Sequence, residues 1–207
     1  MDIRRILVTQ FGHPRGAAGR VVGWVLAHRP SNRRRIVWAA GLLGVRPGDR
    51  VLEIGFGPGI AVAELSRRVA DSGHVYGIDR SAVMLRQASR RNAAAIRAGR
   101  VTLSLGAVER LPPALAGPFD AVLAVNSLGF WTAPAERLAD LRGRLAPGGR
   151  IALVSQPRAK GATRETSLAA ARTLGDLLVA AGFTRTRIEL LDLDPPAACV
   201  LADRDSP

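Results

Sequence analysis

The chain has 207 residues, 47% apolar and 23% charged, which suits one globular domain with an appendage and excludes a disordered chain. Its single cysteine, Cys199, excludes an internal disulfide and a cysteine zinc cluster, and His13, His28 and His74 stand too far apart for an H-E-x-x-H metal site. The net charge of +13 raises nucleic acid, anionic membrane and acidic small molecules as partners, although 29 of the 30 bases are arginine in a chain rich in Ala, Gly and Pro, the bias of a high-GC genome.

In chain order, residues 1–49 read as a helical leader. The first fifty residues hold ten arginines and two aspartates, a net of +8 and more than half of the whole excess. Helical stretches cover about 17–28 and 32–43; Ser31 is placed to cap the second, and Gly44 and Pro47-Gly48 to end it. The longest apolar run, 36–45, is too short to cross a bilayer, and MDIRRILVTQFG lacks the pattern of a signal peptide, so a cytoplasmic location without a transmembrane segment is expected.

Residues 50–207 form the second unit. Strands are predicted at 51–55, 74–79, 101–105, 119–125 and 151–156, alternating with helices at 58–70, 81–97, 134–145 and 166–181, the 81–97 helix capped by Ser81. Val, Ile and Leu on both faces of each strand imply a parallel sheet covered on both sides. Two further β runs, 184–191 and 197–202, have only a turn with Pro195-Pro196 between them and must pair antiparallel.

The segment Val51-Leu-Glu-Ile-Gly-Phe-Gly-Pro-Gly59 joins the first strand to its helix. Glycines there let a ligand approach the backbone, and the amides at the helix start attract a negative group. The spacing is G-x-G-x-G, and Pro58 removes an amide that a pyrophosphate would use. Glu53 would repel a phosphate and favour a cation. Twenty residues past Gly59, Asp79 ends the second strand, where an acid can accept from both ribose hydroxyls. A nucleoside carrying an amino acid and no phosphate fits these residues best.

VLEIGFGPG, VYGIDRS, GAVERLP, FDAVLAVNSLGFW and LAPGGRIALVSQP, over about residues 45–203, resemble in order and spacing the class I S-adenosylmethionine-dependent methyltransferases. The likeness is to the bacterial group related to the ubiquinone/menaquinone C-methyltransferases. The resemblance implies an α/β, Rossmann-like, seven-stranded sheet in the order 3-2-1-4-5-7-6 with strand 7 antiparallel. It implies S-adenosyl-L-methionine as cofactor and S-adenosyl-L-homocysteine as product. Glu53, Gly55, Phe56, Gly57 and Gly59 would surround the methionine moiety, Asp79 would hold the ribose, and Arg80 would lie beside the adenine. Asn126 would lie near the sulfonium or the acceptor. Where the family's third motif often carries an acid for the adenine amine, this chain has Ala107, so adenine must rely on the backbone around Ala107 and Val108, on apolar packing, or on Glu109 reaching back. Glu109 is expected to be solvated.

Methyl transfer needs proximity more than a dedicated base, and no catalytic residue is obvious; His13, in a Gly-His-Pro-Arg-Gly turn, is the candidate base. Phe130 and Trp131 would wall an apolar acceptor pocket, with Trp24 and Trp38 of the leader closing it. The expected function is methyl transfer to a small-molecule acceptor, anionic or membrane-associated, by a monomer or homodimer. The rivals are an RNA methyltransferase and a non-catalytic S-adenosylmethionine-binding protein. Nucleic acid is disfavoured because Asn126-Ser127-Leu128-Gly129 lacks the N/D-P-P-Y/F pattern and no RNA-binding module is recognisable.

Overall fold

The computed structural model describes residues 29–157, 159 and 161–206. A helix α1 (Pro30–Leu43) is followed by β1 (Arg50–Ile54), α2 (Ile60–Val69), β2 (His74–Asp79), α3 (Ala82–Arg91), α4 (Ala93–Arg97) and β3 (Val101–Leu105). Then come β4 (Phe119–Val125), α5 (Pro134–Arg144), β5 (Leu145–Ser155), α6 (Arg164–Ala180), β6 (Thr184–Leu191) and β7 (Ala197–Asp203). The strands make one sheet in the order β3-β2-β1-β4-β5-β7-β6. β1 to β5 run parallel, and β7 lies between β5 and β6, antiparallel to both.

Alternation along the strands builds two cores. Val51, Leu123, Val154 and Cys199 face one side, where α1, α2 and α3 cover them with Leu43, Leu65 and Met84. Leu52, Val122, Leu153 and Val200 face the other, under Leu138 of α5 and Leu174 and Leu178 of α6. Burial on both faces explains why these strands read as unbroken apolar runs. The chain leaves β1 toward β2 and β3, then returns to β4 on the other side, so a crevice opens at the carboxyl ends of β1 and β4.

Two expectations change. Ser31 does not cap α1: Pro30 at its first turn starts the helix earlier, with Arg29 at the N-cap and no side-chain cap. The helix expected over 81–97 is two, meeting at Asn92 (φ −102°, ψ +16°), whose side-chain Nδ2 donates to the Ala88 carbonyl at 2.9 Å and the Gly59 carbonyl at 3.0 Å while its backbone amide still bonds the Ala88 carbonyl. Ser81 caps α3 as expected, accepting from the Met84 amide at 3.3 Å. The helix expected at 17–28 lies outside the described residues. The described part of the leader, α1, packs directly on the sheet through Ile36, Ala39, Ala40 and Leu43. Among the described residues no helix is long and apolar enough to cross a membrane.

Candidate functional site

The carboxyl ends of β1, β2, β4 and β5 surround a cleft of about 610 Å³. It brings together Glu53, Gly55, Phe56, Gly57, Asp79, Arg80, Ala107, Val108, Asn126, Phe130 and Trp131, residues that the sequence analysis singled out from four separate segments. His13, Trp24 and His28 lie outside the described residues. His74 is remote from the cleft, at the start of β2, with Nε2 2.9 Å from Thr102 Oγ1.

The three glycines do different work. All have positive φ, at +76° for Gly55, +52° for Gly57 and +77° for Gly59. A Cβ on Gly59 would stand 2.7 Å from Ala88 Cβ and 2.8 Å from Ala88 Cα, so this glycine lets α3 close on the loop; it does not line the cleft. Gly57 lines the cleft, and a Cβ on it would meet nothing within 4 Å. Gly59→Ala should therefore cost about 3 kcal/mol of stability, from overpacking and left-handed strain together, and Gly57→Ala only about 1 kcal/mol. Chemical denaturation would rank the two, and equal losses would contradict this division of roles.

Phe56 supplies backbone to the cleft and its ring to the core. The ring is buried against Gly77 of β2, where an added Cβ would stand 2.8 Å from it. Asp79 is tied on both sides: Oδ2 accepts from the Gly57 amide and Oδ1 from the Ser81 amide, each at 2.8 Å. The carboxylate thus holds the glycine loop in shape and lines the same cleft. Arg80 turns across the cleft edge to donate to the Phe130 carbonyl at 3.0 Å and lies 3.8 Å from Glu109 Oε2. Glu109 is not simply solvated as expected. It accepts from the Thr132 amide at 2.8 Å. Desolvation would raise its pKa, but that amide and the Arg80 and Arg137 guanidiniums outweigh it and hold the carboxyl below its ordinary value.

Glu53 is 2% exposed, and its Oε2 has no hydrogen-bond partner. Burial first, and the neighbouring Asp79 second, push its pKa well above the ordinary carboxylate value, against the Val62 backbone amide that lowers it. A buried, unsatisfied carboxyl at the rim of a cleft is a receptor for a cation.

The β5 side of the cleft holds a network that sequence reasoning missed. Asn126, at φ +51°, turns back so that its Oδ1 accepts from the Gln156 amide at 2.8 Å, while its Nδ2 is buried without a partner. Gln156 Nε2 donates to the Pro195 carbonyl at 2.7 Å, and its Oε1 accepts from Arg35. Arg35 also donates to Asn32 Oδ1 and is 4% exposed. A signal was present: Asn32, Arg35, Ile36, Ala39, Ala40 and Leu43 form the buried stripe of α1 at three- and four-residue spacing, which puts Arg35 alone of Arg33-Arg34-Arg35 on the inner face.

Phe130 is 45% exposed and lines the cleft, as does Trp131, which is mostly buried in the second core. Trp38 packs on the first core and is absent from the cleft wall.

Residues 51–149 match a family model described as a methyltransferase domain. An uncharacterized methyltransferase, YdaC, of Bacillus subtilis (strain 168) is 31% identical over 185 residues, covering 89% of this chain and 98% of that protein. A S-adenosylmethionine-dependent methyltransferase from Aquifex aeolicus superposes with a TM-score of 0.71 at 20% identity, covering 89% of this chain and 97% of its own. A structure titled a putative S-adenosyl-L-methionine-dependent methyltransferase from Methanococcus maripaludis superposes with a TM-score of 0.71 at 15% identity, covering 92% and 93%.

Proposed function

The chain belongs to the methyltransferase family and uses S-adenosyl-L-methionine, and on that premise we propose that it methylates a small organic molecule held at the β4–β5 end of the cleft. The observation that carries this reading is the shape of the crevice: one cleft of about 610 Å³ runs from Glu53 and Asp79 to an apolar wall of Phe130, Trp131, Leu153 and Leu174. Pockets for small ligands span about 300–1,000 Å³ and are walled mainly by apolar side chains.

The first half of the cleft fits the cofactor. The unsatisfied Glu53 oxygen offers a place for positive charge, and the open side of Gly57 leaves room for a ligand against the backbone. In this reading Asp79, which the Gly57 and Ser81 amides hold in place at the cleft, accepts from the ribose hydroxyls. Ala107 and Val108 give the adenine a backbone and apolar edge, and Arg80 borders it. When bound, the cofactor supplies a methyl group on a positively charged sulfur leaving group. The protein supplies in-line orientation: the glycine loop and Glu53 hold the donor, and the aromatic wall holds the acceptor opposite the methyl group. An acceptor that is already anionic or a weakly basic amine needs no protein base, whereas an alcohol or ammonium acceptor needs one, for which His13 is the candidate.

The resemblance of its motifs to the quinone C-methyltransferase group is in keeping with an apolar ring as the acceptor body. Incubating the full chain with methyl-labelled S-adenosylmethionine and a soluble metabolite extract, with total RNA in a parallel reaction, tests the reading. Label is expected in low-mass organic products. Label confined to RNA would overturn it.

A further inference from the structure

We propose that the β5 end of the cleft is a carboxylate-binding site, in which the Arg35 guanidinium and Asn126 Nδ2 select an acceptor built of an apolar body and an acid group. This deepens the reading of the cleft as a methyl-transfer site for small molecules and rests on it.

Three amide side chains gather at this end, from α1, β4 and β5. The oxygen of each is already engaged: Asn32 Oδ1 and Gln156 Oε1 accept from Arg35, and Asn126 Oδ1 accepts from the Gln156 backbone amide. The Gln156 amide nitrogen is engaged too, with the Pro195 carbonyl. An incoming ligand therefore meets a fixed positive charge and the buried, unpartnered donor of Asn126. A group that only accepts and carries negative charge complements that pair, and a carboxylate does both with two oxygens. A buried arginine held on both flanks has lost its rotamer freedom before the ligand arrives, which favours planar, bidentate recognition.

Position separates this end from the cofactor's. Glu53 and Asp79 stand at the tips of β1 and β2, whereas Gln156 follows β5, two strand spacings or about 10 Å from β1. The cleft is thus acidic at the donor end and basic at the acceptor end. Ile36, Leu153, Trp131 and Leu174 line the same cleft and suit a hydrocarbon or aromatic body. The Asp79 carboxylate disfavours the acceptor's acid group in the donor's place.

The test uses the full chain saturated with S-adenosylhomocysteine and three probe acids, benzoate, phenylacetate and 2-naphthoate, each against its primary amide. Calorimetry should show at least one acid binding about tenfold or more above its amide. Asn126→Asp keeps Oδ1 for Gln156 and the side-chain shape but turns the donor into a negative oxygen, so the preference should vanish or invert. Arg35→Gln should lose it, and Arg35→Lys should recover part of it. The S-adenosylhomocysteine affinity of Arg35→Gln should stay within about threefold of wild type. Binding of none of the acids, equal binding of acids and amides, or a preference that survives in Asn126→Asp overturns the proposal. So does a parallel fall in S-adenosylhomocysteine affinity in Arg35→Gln, which would assign Arg35 to the cofactor's own carboxylate. These titrations need no turnover, so their failure is distinct from the appearance of label in RNA.

Discussion

Asp79→Ala should weaken S-adenosylhomocysteine binding at least about 100-fold in a calorimetric titration. Hydrogen bonds to a charged partner contribute roughly 1.5–3 kcal/mol each, and the proposed pose gives Asp79 two from the ribose. Their loss alone, about 3 kcal/mol or more, corresponds to more than two decades of affinity. A second effect adds to it. Asp79 Oδ2 holds the Gly57 amide at 2.8 Å, so the alanine variant releases the loop that the methionine moiety lies on. Asp79→Asn keeps one acceptor oxygen but sets its Nδ2 donor against either the Gly57 or the Ser81 amide, so its loss should exceed the roughly tenfold of one charge-assisted bond and stay below that of the alanine variant. The protein itself should lose on the order of 1–3 kcal/mol of stability in Asp79→Ala, because the Gly57 and Ser81 amides lose their partner. Affinity within threefold of wild type in the alanine variant would remove Asp79 from the ribose site.

Glu53→Gln should separate stability from function. In the free protein the Glu53 carboxyl is raised well above its ordinary value by burial and by Asp79. The folded protein therefore retains a proton that the unfolded chain gives up, and stability declines as pH rises from the ordinary carboxylate range through the raised folded value. Glutamine stays neutral throughout. The variant should be more stable than wild type at pH 8, by on the order of 1–3 kcal/mol, with the gap closing toward pH 4. Its affinity for S-adenosylmethionine should fall by roughly tenfold to a hundredfold, since the cationic ligand loses a charged neighbour. At a pH below the raised folded value, binding to wild type should release a proton, visible as a dependence of the calorimetric heat on the buffer's ionisation enthalpy, and the release should vanish in Glu53→Gln. A variant that binds S-adenosylmethionine as well as wild type, with unchanged proton release, would show that Glu53 is a buried structural acid and nothing more.

The division of labour within the glycine loop shows where sequence reading reached its limit. The G-x-G-x-G spacing placed a ligand turn at Gly55 to Gly59, and the cleft stands there. The spacing does not say which glycine faces the ligand. That depends on α3, a helix more than twenty residues downstream, whose Ala88 closes on Gly59 and leaves Gly57 open. Glu109 shows the same limit. Its burial and its bond to Thr132 depend on how the loop after β4 folds over it, and no local pattern encodes that contact. The break between α3 and α4 falls at Asn92, whose side chain bonds the Gly59 carbonyl 33 residues away.

What the amino-acid order determined by itself was everything that repeats at short range. Unbroken apolar strands alternating with amphipathic helices required a parallel sheet, and the two closing strands with a turn between them required a hairpin. The acids at Glu53 and Asp79 marked the donor end of the crevice, because residue type and position at a strand tip suffice for that inference. Asn126, Phe130 and Trp131 were legible as residues of the proposed acceptor side, but the polar network around them was decided by tertiary structure. Arg35, Asn126 and Gln156 come from three segments separated by as many as 121 residues, and nothing local marks Arg35 or Gln156 as its members. They act together only because α1 packs across the tips of β4 and β5, a long-range closure in which burial fixes the polar partners and leaves one donor without any.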